Sequence, residues 1–278
     1  MSNHFNITTL VENTVQKHGL LAEHGLAFWL QLEDFSILFD TGQTDIIEHN
    51  AKLLGIDLET VDTIMLSHGH YDHTGGLNTV LNSVKTNTPV FMHPQALNPK
   101  FVKQPTGRPR YNGIPEKCKT ALNNFENIKT ISEPAKITDS VWCTGPIPRN
   151  TSFEDAGGAF FKDVDCHTED DISDDQAVFI DTPFGLVVVL GCAHAGIINT
   201  LTYIKELKPG RPIHTVVGGT HLGNAPADRI EKTIDALRKF NIQQLYPVHC
   251  TGFHATARLW KEFPGRVGVL PVGQTLKL

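Results

Sequence analysis

LSHGHYDHTGG, residues 66–76, sets His68, His70, Asp72 and His73 within one short stretch. A folding core has no use for them, since a polar group buried without a partner costs roughly 1–3 kcal/mol. His68 and His70 are two apart, so in an extended segment both face one side. Asp72 and His73 follow in a turn loosened by Gly75-Gly76 and face a second point nearby. Imidazole and carboxylate donors together suit zinc, iron or manganese. Two ions about 3.5–4 Å apart polarise a substrate oxygen and hold a hydroxide nucleophile at neutral pH. The expected cofactor is therefore two divalent metal ions per chain, zinc first, with manganese or iron as alternatives.

TIMLSHGH (63–70) reads as a strand that ends just before His68, and FSILFDTG (35–42) as one that ends before Asp40. Asp45–Leu54 has helical spacing with Gly55 as its C-cap. Gly76–Val84 reads as a helix and PVFMHP (89–94) as a strand. Downstream, QAVFIDTPFGLVVVLGCAHAG (176–196) holds two strands around a turn, the second apolar on both faces as a central strand is. A helix at 196–207, a strand at 213–221, a helix at 227–239, a strand at 244–249, a helix near 254–262 and a last strand VGVLPV complete the order. His194, His221 and His249 each follow a strand, as Asp40 and His68 do. Open α/β sheets gather ligands beyond the carboxyl ends of their strands. Asp40 is a candidate to fix the tautomer of a histidine ligand.

The chain has 278 residues and reads as a single α/β domain with mixed sheets. Residues 94–170 are rich in Pro, Asn, Lys and Gly and read as an insertion or lid. The net charge of −6 argues against a nucleic-acid binder. Five cysteines without a CxxC pair, and an N-terminus without a basic and apolar leader, point to a cytoplasmic location. No run of about 18 apolar residues suggests a membrane span. A small-molecule substrate is the expected partner; nothing fixes the oligomeric state.

HGHYDHTGG resembles the HxHxDH signature of the metallo-β-lactamase superfamily, and the preceding FDTG resembles its first motif. EHGLAFWL, LGCAHAGI, VVGGTHL and PVHCTG together resemble the branch that includes the archaeal dihydropterin ribofuranosylaminobenzene 5′-phosphate synthase. The resemblance implies an αββα sandwich of two mixed sheets flanked by helices. It implies His68, His70 and His194 on one metal, and Asp72, His73 and His249 on the other. Asp72 and Asp40 become the catalytic candidates. The family's bridging aspartate is missing: its strand ends in Gly191-Cys192, and Cys192, His194 and Asp175 are the rivals for its place, with His194 favoured.

Other residues have bland readings beside functional ones. His4, His18, His49, His167 and His214 read as ordinary, and Cys250 as a packed thiol. His24 in EHGL and His221 after two glycines are candidates for substrate contact, and His93 is a weaker one. Lys100, Lys103, Arg108 and Arg110 form either a solvated face or an anion clamp, since guanidinium forks grip phosphate. Phe101 and Tyr111 are near enough in sequence to stack a flat ring. The expected function is a metal-dependent hydrolase or transferase acting on a small phosphorylated or pterin-like molecule. The alternatives are an iron-containing redox or oxygen-sensing protein and a non-catalytic, ligand-binding regulator on the same fold.

Overall fold

The computed structural model describes residues 5–104 and 106–278, so His4 lies outside the described residues. The chain divides into two compact units. The first takes the residues up to Lys100, then Tyr111–Ile131 and Leu270–Leu278; the second takes Phe101–Arg110 and Ser132–Val269.

The first unit is built on a seven-stranded sheet. Its strands run in the order Thr275–Lys277, Asn6–Val11, Ala27–Gln31, Ser36–Phe39, Thr63–Met65, Val90–Met92 and Ile128–Thr130. The first four pair antiparallel and the rest join in parallel from Ser36–Phe39 onward. Among the described residues, four α-helices belong to this unit: α1 (Ile46–Leu53), α2 (Tyr71–Thr74), α3 (Leu77–Ser83) and α4 (Glu116–Asn123). Ile47 and Ala51 of α1, Leu77, Val80 and Leu81 of α3 and Cys118 and Leu122 of α4 share one core cluster with Leu38, Ile64 and Val90 of the sheet. Ile7, Phe28, Leu30, Ile37 and Phe39 are outside that cluster yet fully buried.

The second unit has a six-stranded sheet ordered Gln244–Pro247, Ile213–Gly218, Gly185–Leu190, Val178–Thr182, Val141–Cys143 and Ala135–Lys136. Gly185–Leu190 lies inside it with every residue buried, as a β-branched apolar run predicts. It pairs in parallel with Ile213–Gly218, which pairs in parallel with Gln244–Pro247. Three helices, α5 (Ile197–Leu207), α6 (Ala227–Arg238) and α7 (Gly252–Glu262), bring Ile197, Leu201, Ile204, Ile234, Leu237 and Leu259 to this unit's core.

The expected helices and the strands bordering the candidate ligands are present, with ends moved by a few residues. Two differences stand out. VGVLPV is not a strand: Val267 and Val272 make single bridges to Leu245 and Val15, and Pro271 has no N–H to give a ladder. The last strand is Thr275–Lys277, paired with Asn6–Thr8. Residues 94–170, expected as an insertion, supply α4 and Ile128–Thr130 to the first unit and Ala135–Lys136 and Val141–Cys143 to the second. Within that stretch Phe101–Lys103 also pairs with Phe160–Phe161 in a separate three-stranded sheet.

Candidate metal centre

In the first unit, parallel strands end at Phe39 and Met65, and the residues that follow hold the polar cluster. His68, His70, Asp72 and His73 are all buried, and Asp40 is fully so. Asp40 Oδ2 lies 2.7 Å from His73 Nδ1 and accepts the Ser67 hydroxyl at 2.7 Å. Its Oδ1 accepts the Ser67 N–H at 2.7 Å. A carboxylate partner at Nδ1 leaves the Nε2 lone pair of His73 for another use. Ser67 Oγ is 2.8 Å from His68 Nδ1 and orients that ring in the same way. His68 Nε2 then comes to 2.9 Å from His70 Nδ1.

That pair tests whether the residues fit a metal. Two imidazole nitrogens on one zinc, each at about 2.0–2.1 Å, stand about 2.9 Å apart at a right angle and about 3.4 Å apart in a tetrahedron. The His68–His70 pair falls inside this range, and its rings are buried where a shared ion is shielded from water. Asp72 adds a carboxylate 3.8 Å from His73 Nε2 and 3.2 Å from His24 Nε2, whose side chain is 55% exposed. The donor set fits a divalent ion.

The backbone here is held tightly. Asp72 and His73 sit in the single turn of α2, and the His73 carbonyl takes both the N–H and the hydroxyl of Thr41, at 2.8 and 3.0 Å. The sequence reading of Gly75-Gly76 as a loosened turn is corrected: both have ordinary negative φ and are glycines for want of space. A Cβ on Gly75 would overlap the Gln43 carbonyl, and one on Gly76 the Thr41 carbonyl.

In the second unit, His194, His221 and His249 follow three neighbouring strands. His194 and His249 are buried and His221 is half-buried. The His194 and His221 rings stand 4.3 Å apart, and the Phe160 ring meets them edge-on at 5.2 and 6.1 Å. His194 Nδ1 lies 2.7 Å from the Ala156 carbonyl oxygen. A carbonyl only accepts, so Nδ1 carries the proton and Nε2 the lone pair. Cys250 joins the three loops: its sulfur accepts the His221 N–H at 3.3 Å and gives its S–H to the Cys192 carbonyl at 3.6 Å. Cys192, His221 and Cys250 each place a donor atom within 4.8 Å of the others.

Asp175, one rival for the missing bridge, has Oδ2 on the Ala195 N–H at 2.7 Å. It thus ties the loop that carries His194. Burial pushes its carboxyl up to about 7, against the lowering effect of that N–H.

Asp40, Ala193, His221 and His249 all have positive φ, between 49° and 60°. Such non-glycine residues cost of order 1–3 kcal/mol each and persist where the surroundings over-determine them. Sequence reasoning missed Ser67, Glu154, Ala156 and Phe160. Ser67 alone left a signal, as a hydroxyl beside a candidate ligand.

The remaining candidates divide. Arg108 and Arg110 are exposed with Lys103, whereas Lys100 is buried and so belongs to no solvated face. The Tyr111 ring is faced by Lys119 Nζ at 5.2 Å. His93 Nδ1 accepts the Gln95 N–H at 3.2 Å and caps a short turn. His49 contacts the Gly19 carbonyl oxygen at 2.7 Å, in keeping with its bland reading.

Residues 21–173 match the family model of the metallo-beta-lactamase superfamily. The chain belongs to this superfamily. An uncharacterized protein of Methanocaldococcus jannaschii is 33% identical over 91% of this chain and 93% of its own length. From the same organism, 7,8-dihydropterin-6-methyl-4-(beta-D-ribofuranosyl)-aminobenzene-5'-phosphate synthase is 29% identical over 92% of this chain and 90% of its own. The crystal structure of Tm1679, described as a metal-dependent hydrolase of the beta-lactamase superfamily, superposes with a TM-score of 0.84 at 31% identity, covering 99% of both chains. The fold class expected from HxHxDH is therefore the observed one, the metallo-β-lactamase fold of the α/β class. Metal binding is typical of this superfamily, and most of its members are metal-dependent hydrolases. Among the described residues no helix is long and apolar enough to cross a membrane.

Proposed function

We propose that this member of the superfamily is a metal-dependent hydrolase or transferase that acts on a small phosphorylated or pterin-like molecule and takes two divalent ions per chain. The observation that carries the reading is the buried arrangement in which Asp40 and Ser67 orient His73 and His68 from behind. The family resemblance implies His68, His70, Asp72 and His73 of the first unit and His194 and His249 of the second as ligands, and nitrogen and oxygen donors of this kind favour zinc, with manganese or iron as alternatives. When bound, such ions polarise a phosphate or carbonyl oxygen and lower the pKa of water. Asp40 holds His73 in one tautomer throughout. His24 Nε2, 3.2 Å from Asp72 Oδ2 and open to solvent, carries a proton between that carboxylate and the outside.

The substrate class is supported by the likeness to the archaeal synthase, whose product name holds a pterin and a 5′-phosphate. His221 and the exposed Arg108 and Arg110 are the candidates to contact such a substrate. The net charge of −6 makes nucleic acid an unfavourable partner. Five cysteines, none of them in a disulfide among the described residues, support a cytoplasmic location.

Elemental analysis of the purified protein tests the reading. About two ions per chain are expected, with at least one lost in folded His68→Ala. A folded wild-type protein that takes up no metal would sink it. Iron that cycles reversibly would favour the redox alternative, and tight binding of a phosphorylated pterin without turnover would favour the regulator.

A further inference from the structure

Glu154, Asp155, Ala156 and Gly157 are consecutive, and each holds a different part of the second unit. The Glu154 carboxylate accepts the N–H groups of Ile198 and Asn199, both at 2.9 Å, in the first turn of α5. Asp155 pairs with Arg229 of α6, and its Oδ1 accepts the Gly157 N–H at 2.7 Å. Ala156 gives its carbonyl to His194 Nδ1 at 2.7 Å. Gly157 lies so close to the His221 ring that any Cβ there would overlap it. The four residues form a strap across the bases of two candidate site histidines.

Arg229 is the unusual anchor. The buried side of α6 is otherwise Thr233, Ile234 and Leu237, and Arg229 itself is only 4% exposed. Taking a guanidinium out of water is expensive, and an apolar side chain of similar volume often stabilises as well or better. Stability alone therefore does not account for an arginine here. Its guanidinium grips one residue twice: NH1 donates to the Asp155 carboxylate and NH2 to the Asp155 carbonyl at 3.3 Å. The second bond orients the peptide that leads into Ala156.

We infer that Arg229 is a positioning residue for His194. It locks Asp155, which fixes the Ala156 carbonyl, which holds His194 with its proton on Nδ1 and its lone pair on Nε2. The inference rests on the proposed role of His194 as a metal ligand. Partners that orient a ligating histidine typically matter 10–100-fold in metal affinity, and Arg229 acts one bond further out.

The test compares wild type, Arg229→Met, Arg229→Lys and Asp155→Ala. Two quantities are measured: the zinc dissociation constant by chelator competition, and the His194 tautomer from imidazole nitrogen shifts in metal-free protein. Arg229→Met and Asp155→Ala are expected to weaken zinc about tenfold and to turn a single Nδ1–H tautomer into a mixture. Arg229→Lys is expected to recover part of both, because its ammonium still reaches one acceptor. A purely structural arginine would lower stability and leave the tautomer alone. Unchanged affinity together with an unmixed tautomer in Arg229→Met and Asp155→Ala would overturn the inference. If Arg229→Met fails to fold, Asp155→Ala decides, since the Asp155 side chain is largely exposed. If wild type binds no zinc, the metal reading falls, and the tautomer, read without metal, still decides what Arg229 does.

Discussion

The two units hold their histidines by different means. In the first, the donors come from one stretch, and a side chain, Asp40, reaches back to His73. In the second, three histidines come from three loops, and a main-chain carbonyl, that of Ala156, holds His194. A carboxylate carries charge, and its loss leaves several buried groups without an acceptor. A carbonyl cannot be removed by substitution and is only as well placed as the strap around it. The first unit should therefore be sensitive at one residue, and the second at several residues that position a backbone.

The largest effect on stability is expected at Asp40. Asp40→Ala strips the acceptor from the Ser67 N–H, the Ser67 hydroxyl and His73 Nδ1 at once. Each buried donor left without an acceptor costs about 1–3 kcal/mol. Alanine in the left-handed conformation, which Asp40 holds at φ 60°, adds roughly 1–2 kcal/mol. Asp40→Asn tolerates that conformation and keeps an acceptor, so about 1–3 kcal/mol is expected from it. Chemical denaturation of metal-free protein measures both. A loss below about 1 kcal/mol in Asp40→Ala would break the contrast between the units.

Asp175 gives the second unit a pH signature. Burial raises its carboxyl from 3.8 to about 7, so the native state keeps a proton that the unfolded chain releases between those values. The stability this adds is fully present below pH 3.8 and is lost as the pH rises through 7. Its total is on the order of 4 kcal/mol by linkage. Burial pushes Glu154 up as well, in the same direction. The quantity to measure is therefore the difference between wild type and Asp175→Asn. The variant should flatten the fall in stability between pH 5 and 7, and an unchanged slope would remove Asp175 as its source.

The same contrast explains how much was legible in the sequence. HxHxDH and Asp40 could be read because their chemistry is concentrated in side chains at short spacing, beside apolar strands that place them at a sheet edge. His194, His221 and His249 could be read as strand-end residues. The strap could not. Its partners lie far along the chain, at Arg229, His194 and Ile198–Asn199, and its key group is a carbonyl that every residue owns. Residues 94–170 lack periodicity because their strands are two or three residues long, too short for alternation to show. The loop glycines misled for a related reason. Sequence shows that Gly75 and Gly76 lack a side chain, but only the approach of the Gln43 and Thr41 carbonyls shows why.

Gly157 probes the second unit with the smallest change, one methyl group. Its φ of +81° already disfavours alanine, and the added Cβ would overlap His221 Nδ1 and crowd Cγ at 2.8 Å. Gly210, in the same unit, has φ +78° and nothing within 4 Å of an added Cβ. Gly210→Ala therefore isolates the backbone penalty, roughly 1–2 kcal/mol. Gly157→Ala carries the same penalty plus overpacking, which typically adds about 1–3 kcal/mol. Thermal unfolding of the two variants separates these contributions. If the strap positions the histidines, the excess in Gly157→Ala comes with shifted ring signals from His221, and Gly210→Ala leaves them unmoved. Equal destabilisation in the two, with His221 unshifted in both, would mean that the strap yields to the methyl group, and the second unit would then need no tight backbone to place its rings.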